Sequence, residues 1–162
     1  MPLESLRYVS VSYWGFDGVV REGELVVHAD AVEALEGAFA RLFEQRFPIR
    51  SMRLVDDYGG DDDRSMAADN TSGFNCRPVA GSSRWSQHAY GRAVDINPIE
   101  NPYVHRGTID PPAAAAFADR SDVRPGMLVA GSPAVAAFTE VGWTWGGTWG
   151  SPDHQHVSAN GS

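Results

Sequence analysis

The sequence has a single cysteine, Cys76, so an intrachain disulfide is excluded, and one thiol suits either redox compartment. Basic side chains are scarce: 13 Lys and Arg stand against 21 Asp and Glu, for a formal net charge of -8. That balance argues against nucleic acid or an anionic membrane surface as the main partner. No run of about 18 apolar residues is present, so no transmembrane segment is expected. The start, Met1-Pro2-Leu3-Glu4, shows neither the basic region nor the apolar stretch of a signal peptide. Internal repeats and low-complexity blocks are also missing. What is there is ordinary for one globular domain: 162 residues, 43% apolar and 21% charged.

Local patterns predict an α+β fold, a small antiparallel sheet with flanking helices. Residues 7–14 and 24–28 read as strands separated by glycine turns. Asp30 and Glu33 predict a capping box for a helix whose apolar face is Val32, Leu35, Phe39, Leu42 and Phe43, ending near Phe47 before Pro48. Residues 49–56 read as a strand. Residues 57–73 read as a polar loop with at most one helical turn, its acidic run Asp61-Asp62-Asp63 solvated because the spacing fits no EF-hand. Residues 74–78 read as extended, and Arg92 to Asn97 as a strand that presents Asp95. Residues 98–131, with five prolines, read as irregular. Ser132-Pro133 starts a helix that Gly142 ends, and a last strand carries His156. Cys76 is expected to be a small buried residue. Trp143, Trp145 and Trp149 are expected mainly as core beneath the site, with a substrate-stacking rim as the rival role.

Two motifs carry chemistry: Ser86-Gln87-His88-Ala89-Tyr90-Gly91-Arg92-Ala93-Val94-Asp95 and Asp153-His154-Gln155-His156. His88, Asp95 and His156 form a ligand set suited to Zn²⁺, and three protein ligands leave a fourth position for water, as in catalytic sites. A sharp turn at Gly91 lets His88 come from a loop and Asp95 from the next strand. The third ligand arrives 61 residues later, as in an assembled enzyme site rather than a local finger. Asp153 is then a candidate base for that water.

The pattern Ser-x-His-x-x-Gly-x-Ala-x-Asp, with Trp145-Gly146-Gly147-Thr148-Trp149 and Asp-x-x-His following, resembles the peptidoglycan-cleaving zinc D-alanyl-D-alanine carboxypeptidases and L-alanyl-D-glutamate endopeptidases over residues 50–158. The resemblance implies the hedgehog/D-Ala-D-Ala-peptidase-like fold, with a single zinc held by His88, Asp95 and His156. It implies Asp153 as general base and acid, where many relatives carry Glu, Arg77 as the best match for an upstream Arg that binds the substrate carbonyl or carboxylate, and Ser86 as a substrate contact. His154 is a rival to Asp153, because a His-x-His spacing occurs in related zinc peptidases; it is retained as a transition-state donor. Arg84 and Arg92 are candidates for stem-peptide carboxylates or plain surface charge. Val157 stands where relatives often have an aromatic.

The expected organisation is a zinc peptidase core over 49–162, with 1–48 as a strand and helix extension of the same domain. The expected activity is hydrolysis of an amide bond in peptidoglycan stem peptide. The Trp-Gly-Gly-x-Trp arrangement favours the L-Ala-D-Glu endopeptidase, with the D-alanyl-D-alanine carboxypeptidase as alternative. A non-catalytic cell-wall-binding module of the same fold, or a peptidase for some other peptide, would use the same scaffold. The substrate implies an extracellular or cell-wall-associated location.

Overall fold

A computed structural model describes residues 2–79 and 81–161. Its longest element is an antiparallel hairpin of β1 (Leu6–Trp14) and β2 (Val20–His28), paired from Leu6–His28 to Trp14–Val20. Alternation along these strands turns Val9, Tyr13, Leu25 and Val27 inward. Helix α1 (Val32–Glu44) lies against β1 and buries Leu35, Ala38, Phe39 and Leu42. Its start differs from the expected capping box. Residues 29–31 form a 3-10 turn, Ala31 stands at the N-cap, and the Asp30 amide is bonded by the His28 ring at 3.2 Å instead.

The remaining strands are short. β3 (Ser51–Met52) pairs in parallel with β4 (Asn70–Thr71), so the sheets are not all antiparallel. The predicted strand over 49–56 shrinks to β3 because residues 55–58 wind into a 3-10 turn that Gly59 ends. The predicted loop over 57–73 contains α2 (Asp62–Ala67), whose N-cap is Asp61 accepting from the Arg64 amide at 3.1 Å. β5 (Ala93–Asp95) joins β9 (His156–Ser158), which in turn joins β8 (Thr144–Trp145), giving the order β5-β9-β8. A hairpin of β6 (Tyr103–His105) and β7 (Thr108–Asp110) lies inside the segment expected to be irregular. Helix α3 (Pro133–Thr139) starts as expected, with Ser132 Oγ accepting from the Val135 amide at 3.2 Å.

One apolar core joins these parts. Phe39 of α1 meets Phe138 of α3 edge to face at 6.1 Å, and Val94, Leu128, Trp143, Trp145 and Val157 continue the cluster. Val157, on the strand that carries His156, thus packs into the core. Two buried asparagines tie down the segment after β5. Asn97 donates to Pro48 O and Gly126 O, while Asn101 Oδ1 accepts from the Leu128 amide at 2.6 Å. Nearby, burial and then the neighbouring Asp69 carboxyl push Glu100 up to about 8, despite Arg50 reaching both acids at 3.4 Å. The architecture is α+β, built from small sheets and few helices.

Candidate metal centre and its clefts

His88 lies on a 3-10 turn over residues 87–90. Ser86 begins the turn by accepting the His88 amide at 3.3 Å, and Gly91, at φ 64°, ends it. Glycine takes this left-handed conformation without strain. The position is also crowded: a Cβ there would lie 2.5 Å from the His28 nitrogen. The chain then enters β5, where Asp95 faces His156 across the ladder.

The three side chains converge. His88 Nε2 is 3.1 Å from Asp95 Oδ2 and 3.2 Å from His156 Nδ1, and His156 Nδ1 is 3.2 Å from Asp95 Oδ1. All are buried. His88 Nδ1 lies 2.7 Å from Gly73 O, and a carbonyl can only accept. The neutral His88 ring therefore keeps its proton on Nδ1 and turns the Nε2 lone pair toward Asp95 and His156. The Nε2 lone pair of neutral His88 and the Asp95 carboxylate, facing one another at 3.1 Å, call for a positive charge between them. The titration tendencies agree. Burial lowers the His88 pKa, but Asp95 more than offsets it. Burial likewise opposes ionisation of Asp95, yet the facing imidazoles hold its carboxyl below the usual range. Two imidazole nitrogens and a carboxylate fit zinc, and the Nδ1–carbonyl bond is the outer contact that fixes a metal-binding tautomer.

Asp153 sits beside the trio on a segment bridged to Tyr103 of β6, with the Val104 amide bonded to Pro152 O. Its Oδ1 is buried with no protein partner. Burial, and then the Asp95 charge, push its carboxyl up to about 6. His154 takes a different environment. Its ring lies 5.9 Å from that of Trp145, and burial, then Arg120, lower its pKa to about 4. It is not among the residues lining the clefts at the trio.

Two such clefts meet at Val79, Trp149, Asp153 and His156. The first, of about 340 Å³, holds Arg77 with Asp62, Tyr103, Asp110 and Ser151. Arg77 is clamped by Asp62 at 2.7 Å, and Asn75 donates to the same carboxylate at 2.9 Å. Asp62 is therefore not part of a solvated acidic run. Its neighbours Asp61 and Asp63 are exposed, and nothing local in the sequence marks the Arg77 pairing. The second cleft, of about 670 Å³, is walled by Trp85 and Tyr90 with Arg84 and Gln87. Trp149 borders both, its ring 5.3 Å from His156, while Trp143 and Trp145 are core. The tryptophan cluster thus divides between core and cleft. Ser86 is buried and serves the turn rather than lining either cleft. Arg92 pairs with Asp30 at 2.8 Å, and Cys76 is exposed, not buried, because Asn75 and Arg77 on either side point toward the site.

Residues 80–159 match the family model for D-alanyl-D-alanine carboxypeptidase. Over that segment the chain is similar to that peptidase family. Comparison with curated proteins and with solved structures yields no match. The family comprises zinc-dependent metallopeptidases that act on peptidoglycan, and the matched segment contains His88, Asp95, Asp153 and His156. Arg77 and Asp62 lie upstream of it, so their place in the cleft is known from the fold alone. Among the described residues no helix is long and apolar enough to cross a membrane.

Proposed function

We propose that the protein is a zinc peptidase that hydrolyses the L-Ala–D-Glu amide bond of peptidoglycan stem peptide at the cell wall, outside the membrane. The observation that carries the specificity is the pair of clefts meeting at Asp153 and His156. A chain cut internally needs room on both sides of the scissile bond, whereas release of one terminal residue needs a blind end with a free cation. Arg77, the cation of the smaller cleft, is already engaged by Asp62, which weighs against its use as a terminal-carboxylate anchor.

His88, Asp95 and His156 would hold the zinc, which when bound supplies a Lewis acid for the substrate carbonyl and its attacking water. Asp153 takes the proton of that water through its unpartnered oxygen and passes it to the leaving amine. Its raised pKa suits both halves of that transfer near neutral pH. Arg77, oriented by Asp62, places positive charge beside the developing oxyanion. An unpartnered buried carboxyl oxygen beside a ligand trio has no use in a module that only binds, which supports the enzymatic reading.

The test is mass spectrometry of products from defined muropeptides with the zinc-loaded protein. Separation of L-Ala from D-Glu is expected. Loss of a single D-Ala would assign the carboxypeptidase instead, and intact substrate with zinc bound would overturn the peptidase reading.

A further inference from the structure

The larger cleft has a composition that peptide hydrolysis does not require. Trp85 is 54% exposed and Tyr90 38% exposed, and neither ring stacks on another aromatic among the described residues. Val79, 38% exposed, lies on the same rim. Trp85 is positioned by backbone pairing with Pro78, and beside that bridge the Val79 amide bonds Arg84 O at 2.8 Å. The flat face is therefore presented from an isolated antiparallel bridge. At its border the Arg84 guanidinium and the Gln87 amide make no hydrogen bond or ion pair with the described residues. Bare aromatic faces edged by free donors and an acceptor are the chemistry of saccharide recognition: the rings pack on the C–H face of a sugar while polar groups take its hydroxyl, amide and carboxylate oxygens.

Position supports the same occupant. In peptidoglycan the L-Ala amine is joined through a lactyl ether to N-acetylmuramic acid. A cut after L-Ala leaves one residue, about 3.5 Å of extended chain, between the scissile carbonyl and that bridge. The sugar must then lie immediately beside the trio, where the cleft of Trp85 opens onto Asp153 and His156. A cut before the terminal D-Ala would put the sugar four residues away, roughly 14 Å of extended chain, beyond this wall.

We propose that Trp85 and Tyr90, with Arg84 and Gln87, form a subsite for the N-acetylmuramyl sugar carrying the stem peptide, so that the protein reads glycan as well as peptide. This rests on the L-Ala–D-Glu assignment above. The test compares kcat/KM of the zinc-loaded protein on N-acetylmuramyl-stem peptide and on the same peptide without sugar. The wild type should prefer the sugar-bearing substrate by roughly five- to tenfold, the scale of one aromatic contact. Trp85→Ala should bring the ratio near one through loss on the sugar-bearing substrate, and Trp85→Phe should keep most of it. Equal rates in the wild type, or an unchanged ratio in folded Trp85→Ala, would overturn the subsite. If neither substrate is cut, the peptidase reading fails separately. Calorimetric titration with the two compounds then decides the subsite: tighter binding of the muramyl peptide that Trp85→Ala removes upholds it, and equal binding overturns it.

Discussion

Replacing Gly91 with alanine tests whether the turn between the first two ligands is dictated by backbone geometry. At φ 64° an L side chain carries left-handed strain of about 1–2 kcal/mol. The new Cβ would also fall 2.5 Å from the His28 nitrogen and 2.9 Å from the Val27 carbonyl carbon. Both are backbone atoms of β2, where the His28 amide donates to Gly91 O at 2.8 Å, so neither can swing aside. Forcing that strand away costs a further 1–3 kcal/mol or so, as in other overpacked sites. For a protein of this size each kcal/mol moves Tm by roughly 2–4 °C, so a drop of about 5–15 °C is expected. Gly59→Ala is the matched control. Its φ is 73° and a Cβ there meets nothing within 4 Å, so only the strain term, about 1–2 kcal/mol, applies. Calorimetry of the two variants without added metal separates the terms. Equal losses would refute the claim that close approach to β2 fixes this glycine.

Asp153→Asn should reduce turnover on muropeptide by about 10²-fold or more while zinc stoichiometry, read by elemental analysis, stays at the wild-type value; near-normal turnover would remove Asp153 as the base. His88→Ala should abolish stoichiometric zinc retention on gel filtration, since it removes one of three ligands and the carbonyl-fixed tautomer with it. Glu100 has a folded pKa raised to about 8, above its unfolded value, so the folded state binds the extra proton and stability falls as pH rises from about 4.5 to about 8. Glu100→Gln should flatten that slope in urea titrations, by about 1–2 kcal/mol across the window once Arg50 and partial solvation are allowed for. Ser132→Ala should cost about 1 kcal/mol in the same titrations by stripping the cap of α3.

The parts of the fold visible in the sequence are those set by local rules. Alternation located the first hairpin, helical spacing located α1, and Ser132-Pro133 with Gly142 bracketed α3. The convergence of His88, Asp95 and His156 is legible because imidazole and carboxylate at those spacings, divided by a glycine, have few other uses. Long-range pairings were not visible. Asp62 looked solvated because its partner, Arg77, lies fifteen residues on and its near neighbours are exposed. The β6–β7 hairpin hid among prolines that suggested irregular chain, yet it is what bridges Asp153 into place. Asp30 failed as a cap because the His28 ring reached its amide first, and Cys76 turned outward because its neighbours were needed inside. The wall of Trp85 and Tyr90 could not be told from scattered surface aromatics until the loop brought both to one cleft.

The strand that carries His156 is bordered on both sides, by β5 and by β8, and all three of its residues are buried. Where it is paired on both sides, at Val157 and Ser158, such a strand cannot fray from an edge, and those amides are freed only when the sheet as a whole comes apart. Hydrogen exchange at Val157 and Ser158 should therefore be governed by the global opening reaction, while the two-stranded β6–β7 hairpin beside Asp153 can open by itself. The strand that holds His156 and the hairpin bridged to Asp153 thus sit on different tiers of the protein's native-state fluctuations.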